Sequence, residues 1–130
     1  MIGFDEIISE AEKKGIQVGW SNPCFEIWMY ANFGVMPAIQ NSRTCCSEFG
    51  RVYESKTVQK YSKADEKMYE KICRVGNEEK AIRIAQQKLE QCEREGKKNS
   101  SEMCPATTVH RLVGGNKNKM LISKEEKICI

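Results

Sequence analysis

Six consecutive residues, Ser21, Asn22, Pro23, Cys24, Phe25 and Glu26, bring a hydroxyl, an amide, a thiol and a carboxylate into one short stretch with apolar residues on both sides. A junction from strand to helix at this point would place Ser21 and Asn22 at the edge where α/β proteins bind ligands. That edge lies beyond the carboxyl ends of strands, where helix N-termini present free backbone N–H groups. Glu26 would then lie about one turn inside the helix, either facing the mouth of a site or occupying a costly buried position. A metal, an arginine or a lysine would be its natural partner. The blander alternative makes Glu26 an acidic first-turn residue favoured by the helix dipole and Asn22 a plain N-cap.

Other polar residues could complete such a site. Arg43, Tyr61 and Lys63 lie among polar residues between the two halves of the chain, where basic groups can pair with Glu26 or with phosphate, or simply be solvated. His110 is the only histidine and forms a polar cluster with Thr107, Thr108 and Arg111. A lone histidine is more often a hydrogen-bonded structural residue than a catalyst. A Cys24–His110 thiol dyad can be drawn, but the apolar setting of Cys24 disfavours it. Cys45, Cys46, Cys73, Cys92 and Cys104 show neither a CxxC pair nor the histidine-rich spacing of a zinc site, so they read as core filler or surface thiols.

The elements that must position these groups follow from periodicity. Phe4, Ile7, Ile8 and Ala11 share one helical stripe, with Lys13 and Lys14 suited to the negative C-terminal end and Gly15 to a left-handed cap. Ile16, Val18 and Trp20 alternate with Gln17 and Gly19, the period of a strand with one face on a core. Asn22 as N-cap and Pro23 as first helical residue predict a helix from there. Its body, Cys24 to Phe33, is apolar nearly all round and therefore buried. Gly34 and Pro37 end it, and the polar stretch from Gln40 to Ser55 is expected to be a long loop or a short helical excursion. Ala64, Met68 and Ile72 form one stripe, and Ala81, Ile82, Ala85, Leu89 and Cys92 another after a turn at Gly76 and Asn77, which predicts an antiparallel helical hairpin. Gly96 to Ser101 is a polar linker. Pro105 is expected to open a short helix carrying Val109, Leu112 and Val113 and closing at Gly114 and Gly115. The last fifteen residues are lysine-rich and expected to be loosely held, with Met120 to Ile122 a short strand. The fold class is thus helix-rich α/β: a small parallel sheet packed with several helices.

Composition limits the function classes. The 130 residues fit one domain, and 40% hydrophobic with 30% charged residues indicates a folded chain. We expect 1–38 as the α/β part, 39–95 as a helical part and 96–130 as a C-terminal helix and tail. The net charge of +3 is mild, and lysines alternate with glutamates in the second half, which permits nucleic-acid binding without indicating it. No stretch approaches the roughly 18 consecutive apolar residues that span a bilayer, and the start lacks the apolar run of a signal peptide. A cytoplasmic location without membrane association, and seven reduced cysteines, are the expectation.

Phe4, the Ala11-Glu-Lys-Lys-Gly15 helix end, the run from Ser21 to Trp28, and Phe33 together resemble the core of RloB-like proteins, bacterial phage-defence proteins of the abortive-infection type. The resemblance continues through Tyr61-Ser-Lys63, the helix from Ala81 to Leu89 and the stretch from Pro105 to Val113, and covers almost the whole chain. The Asn-Pro-Cys-Phe-Glu run is its most specific part. It implies an antiviral Toprim-fold nuclease encoded beside an AAA-type ATPase, with Mg²⁺ held by an early glutamate and an Asp-x-Asp strand. Clustered carboxylates suit magnesium, which stabilises charge in phosphodiester cleavage. This sequence starts at about the point after those acids, so it resembles a truncated, C-terminal portion of a Toprim-like domain and is expected to lack nuclease activity alone. Asp5 lies on the first helix and does not replace them, and Asn32 stands where the family tends to have histidine.

On this resemblance Glu26, Lys63 and His110 are the catalytic candidates and Ser21, Asn22, Thr108 and Arg111 the binding candidates, with Glu26 also the candidate ligand for Mg²⁺. RNA or DNA and the ATPase are the implied partners. Two other readings stand beside it: an interaction module docking on the ATPase through the helical hairpin, and a chain that forms a homo-oligomer to cover apolar surface left by an incomplete sheet.

Overall fold

The computed structural model describes residues 3–113, 119–124 and 126–129. The first helix, α1 (Phe4–Lys13), buries Ile8 and Ala11, and Gly15 follows at φ +78°, the left-handed conformation that reverses the chain into β1 (Gln17–Asn22). Phe4 meets Trp20 edge to face, with ring centroids 6.0 Å apart, which seats α1 on the strand.

The sheet has the order β2-β1-β3-β4. β2 (Ala106–Thr107) pairs antiparallel with β1, β3 (Lys119–Ser123) runs parallel to β1, and β4 (Glu126–Cys129) pairs antiparallel with β3. The fold is the expected helix-rich α/β, and the strand expected at Met120 to Ile122 forms the middle of β3. The parallel pairing is confined to β1 and β3, so the sheet is mixed.

The second helix, α2 (Glu26–Asn32), buries every one of its residues. Its apolar circumference requires partners on all sides, and the other helices supply them. On one side Ile27, Met29 and Tyr30 pack with Phe49, Tyr53, Met68 and Ile72; on the other Trp28 and Ala31 pack with Ala81, Ala85 and Val109. Fully buried aromatic side chains such as Trp28 and Phe49 each contribute about 3–5 kcal/mol, judged by the usual cost of truncation to alanine.

The loop expected from Gln40 to Ser55 is instead a sixteen-residue helix, α3 (Ser42–Thr57). The Asn41 side chain accepts from the Thr44 N–H at 2.9 Å, a standard N-cap, and Cys45, Phe49 and Tyr53 at i, i+4 and i+8 form a buried stripe. Phe49 sits among the rings of Tyr30, Phe33, Tyr53 and Tyr61. One narrow stripe in an otherwise polar segment hides the period.

Two further helices, α4 (Met68–Val75) and α5 (Glu78–Arg94), follow the turn positions expected at Gly76 and Asn77, although Ala64 lies exposed ahead of α4. Met68 and Ile72 join the cluster around Phe49, while Ala81 and Ala85 pack beside Trp28, so the two helices clasp α2 from different sides. The Asn77 N–H donates to the Asn32 carbonyl at 2.7 Å and fastens their turn to the end of α2.

Two local expectations are corrected. Asn22 and Pro23 do not start the helix: Asn22 is still the last residue of β1, and α2 begins at Glu26 behind Phe25, which makes no side-chain cap. The Asn22 amide instead donates to the carbonyls of Ser100 and Ser101, 3.3 Å each, because a buried amide must find acceptors and these two lie within its reach. Pro105 opens β2 in place of a helix, and Val109–Leu112 form a single 3-10 turn. Trp20 holds that segment through its carbonyl, which accepts from the Thr108 N–H at 2.8 Å, and through its own N–H, which donates to the Thr108 hydroxyl at 3.0 Å. The expected closing glycines, Gly114 and Gly115, lie outside the described residues.

Candidate functional site

The carboxylate of Glu26 is completely enclosed, at 0% exposure. An unpaired charge there would be prohibitively costly, and the chain supplies partners from the segment that leaves α3. The Tyr61 hydroxyl donates to Oε2 at 2.7 Å, and the Lys63 ammonium reaches Oε1 at 3.3 Å. Tyr61 is itself fixed, its backbone N–H donating to the Glu54 carboxylate at 3.1 Å.

Two thiols close the cluster. Lys63 Nζ donates to Cys46 Sγ at 3.5 Å, Cys46 Sγ lies 3.7 Å from Cys24 Sγ, and Cys24 Sγ approaches the Ser42 carbonyl at 3.8 Å. Cys24 precedes α2 and Cys46 lies on α3, so the packing of these two helices brings together residues far apart in sequence.

Charges are divided unequally. Burial pushes the Glu26 carboxyl up, but the Tyr61 hydrogen bond, the Lys63 charge and the two thiols outweigh it and hold the carboxyl below its usual range. The Tyr61 phenol is driven far up, first by burial and then by the adjacent Glu26 charge and hydrogen bond. Cys24 is raised chiefly by its hydrogen bond with Cys45, with burial and the Glu26 charge adding to it. Cys46 is raised by its hydrogen bond with Cys24, then by burial and by Glu26. At neutral pH the cluster is therefore one carboxylate facing one ammonium, with a phenol and thiols that keep their protons. Glu26 has no proton to give as a general acid, and both its oxygens are engaged; its clearest capacity is to hold Lys63 and Tyr61 in place.

The residues singled out in the sequence fall into two groups. Glu26 and Lys63 meet, one of the pairings that the sequence leaves open. Tyr61 joins them, whereas Ser21, Asn22, Thr107, Thr108 and His110 belong to the β1–β2 side. Ser21 Oγ and Thr107 Oγ1 share a hydrogen bond at 2.9 Å, Asn22 is bonded to Ser100 and Ser101, and Thr108 to Trp20. These buried polar groups fasten β1 to its neighbours. His110 is buried on the 3-10 turn; its Nδ1 has no hydrogen-bond partner among the described residues, and burial, with the Arg111 charge, lowers its pKa to about 4. Arg111 and Arg43 are exposed. Among the described residues, neither His110 nor Arg111 is bonded to Glu26. Cys24 lies against the thiols of Cys45 and Cys46 and not against His110, and no spacing rule reveals thiols that meet across more than twenty positions.

The donor set does not suit Mg²⁺. Magnesium requires near-octahedral oxygen coordination at about 2.0–2.1 Å, whereas the described residues here offer a single carboxylate and two sulfurs.

An apolar recess of about 330 Å³, lined among others by Phe25, Tyr69, Val109, Leu112 and Leu121, opens elsewhere, and Glu26 does not line it.

The model of the RloB-like protein family matches residues 2–114. The chain belongs to the RloB-like protein family. The matched stretch contains every residue of the Glu26 cluster, whereas β3 and β4 lie outside it. No curated protein and no solved structure matches the chain. No helix among the described residues of this RloB-like protein is long and apolar enough to cross a membrane.

Proposed function

We propose that this RloB-like chain serves in phage defence of the abortive-infection type, contributing a phosphate-facing site centred on Lys63 and having no nuclease activity by itself. The observation that carries this is the ion pair in which a wholly buried Glu26 fixes an ammonium that stands 48% exposed. Lysine meets phosphate as a point charge, and a buried anion behind it limits where that charge can go. The Toprim-like, Mg²⁺-dependent nuclease chemistry that the family resemblance implies belongs, in this proposal, to the assembled defence system, because the Glu26 cluster does not suit magnesium. Glu26 then acts as a positioning carboxylate, to which among the described residues His110 and Arg111 make no bond.

The test is incubation of the purified chain with tRNA or duplex DNA in the presence of Mg²⁺. Salt-sensitive binding that falls on Lys63→Met and persists in Lys63→Arg, with no cleavage, is the expected result. Cleavage abolished by Glu26→Gln would overturn the non-catalytic assignment, and binding indifferent to Lys63→Met would overturn the phosphate-facing one.

A docking role on an AAA-type ATPase draws on the outer face of α5, where Arg83, Gln86, Glu90, Glu93 and Arg94 are all exposed. Charge reversal at Arg83 and Arg94 should reduce co-purification with the ATPase, and undiminished association would remove this role.

A further inference from the structure

We propose that Cys24, Glu26 and Cys46 form a binding site for a borderline-soft divalent transition metal, zinc being the best fit, at which the Lys63 ammonium and the metal ion are alternative occupants. The site goes beyond the phosphate-facing role and needs no nucleic acid.

The case rests on geometry. Two thiolates on one tetrahedral zinc, each about 2.3 Å from the metal, lie about 3.8 Å apart. Cys24 Sγ and Cys46 Sγ are separated by 3.7 Å. The two sulfurs and a Glu26 carboxylate oxygen all lie within 4.8 Å of one another, a spread that a single small ion can bridge. Thiolate, thiolate and carboxylate are all zinc ligands, and three protein ligands with the fourth position open is the arrangement of a reactive site as distinct from a closed structural one.

The surroundings already have the form of a supporting shell. Tyr61 holds Glu26 Oε2 at 2.7 Å and leaves the other oxygen directed toward Lys63, so the carboxylate is oriented from behind as ligands in metal sites commonly are. The cationic Lys63 Nζ sits 3.3 Å from that oxygen and 3.5 Å from Cys46 Sγ. A positive charge is thus already accommodated between the two donors. Lys63 is half exposed and carried on a flexible stem, so it can swing outward when a dication arrives. Its charge then still offsets a centre made net negative by two thiolates and a carboxylate.

The exchange balances without a redox partner. Both thiols are protonated in the metal-free chain; each S–H bond breaks heterolytically, two protons leave to solvent, and two S–metal bonds and one O–metal bond form. Affinity therefore rises with pH, and binding releases protons.

The test uses the full chain, reduced and stripped of metal, titrated with zinc alone and with magnesium alone by calorimetry, and with cobalt as a spectroscopic substitute. One zinc per chain is expected, with proton release, no magnesium binding, and a thiolate-to-cobalt charge-transfer band. Cys24→Ser and Cys46→Ser should each weaken zinc at least about 10–100-fold, the range lost even with outer-shell changes, and abolish or shift the cobalt band. Cys73→Ser, on the exposed face of α4, should change nothing. Circular dichroism checks the fold of each variant, and the native chain alone is decisive if a serine variant fails to fold. Absence of zinc binding by the native reduced chain would overturn the proposal, as would binding unaltered in folded Cys24→Ser and Cys46→Ser.

Discussion

Glu26 and Lys63 form an ion pair with one partner sealed in the core and the other half in water, 3.3 Å apart. Removing either partner therefore has different consequences. Lys63→Met leaves a buried carboxylate with Tyr61 as its remaining strong donor, and should cost about 3–5 kcal/mol, the usual penalty for orphaning a buried charge. Glu26→Gln leaves an ammonium that solvent can hydrate and an amide that can still accept from Tyr61, and should cost about 1–2 kcal/mol. Urea unfolding at neutral pH measures both; equal losses would mean that the carboxylate is not held ionised.

The same carboxylate contributes to acid sensitivity. Its folded pKa is depressed below the ordinary 4.5, so its stabilisation is complete above that value and is lost as pH falls through the folded one. Glu26→Gln should flatten the low-pH end of the stability profile, and a profile identical to the native chain's would contradict the pairing.

His110 acts at a higher pH. Its folded pKa of about 4 lies below the ordinary 6.5, so the unfolded chain binds the proton first and stability declines as pH drops from 6.5 towards 4. Across that window the loss is about 3 kcal/mol, from roughly 1.4 kcal/mol per unit. His110→Gln should remove the slope between those limits while leaving the decline from Glu26 in place, as equilibrium unfolding at stepped pH would record.

Trp28 is fully buried and its indole N–H donates to the Tyr69 hydroxyl at 2.8 Å. Tyr69→Phe keeps the ring and deletes the acceptor, orphaning that donor at a cost of about 1–3 kcal/mol. A melting temperature unchanged from the native protein would show that another acceptor takes over.

At Gly76 a Cβ would come 2.9 Å from the Asn32 carbonyl oxygen and 3.0 Å from that of Ile72, both backbone atoms. Gly76→Ala should therefore push α4 away from α2 and lower stability by about 1–3 kcal/mol, the range for overpacking a tight site. Chemical denaturation of this single variant is sufficient to check it.

Much of the fold was legible wherever one period dominated. The stripe of Phe4, Ile8 and Ala11, the alternation through Val18 and Trp20, and the stripe of Ala81, Ala85, Leu89 and Cys92 each gave the element found. The segment of α3 was opaque because only Cys45, Phe49 and Tyr53 of its sixteen residues are buried, too few to stand out among polar neighbours. Asn22 and Pro105 misled for a different reason: local capping and helix-starting preferences of about 1 kcal/mol yielded to bonds with segments distant in sequence, which no local rule contains. Within the candidate site, the rule that a buried acid needs a partner narrowed Glu26 to a metal, an arginine or a lysine without choosing Lys63 over Arg43. The Tyr61 hydroxyl bond to Glu26 and the approach of Cys46 to Cys24 both depend on how α2 packs against α3 and the segment that leaves it, which no local pattern contains.

β3 enters the middle of the sheet from a part of the chain that the family match does not reach. A protein cut at residue 114 would keep the whole polar cluster and yet strip one side of β1 along Gln17 to Ser21, opening a ribbon of backbone donors and acceptors able to recruit a foreign strand. The stretch that marks this chain as a family member is thus shorter than the sheet that covers the flank of β1.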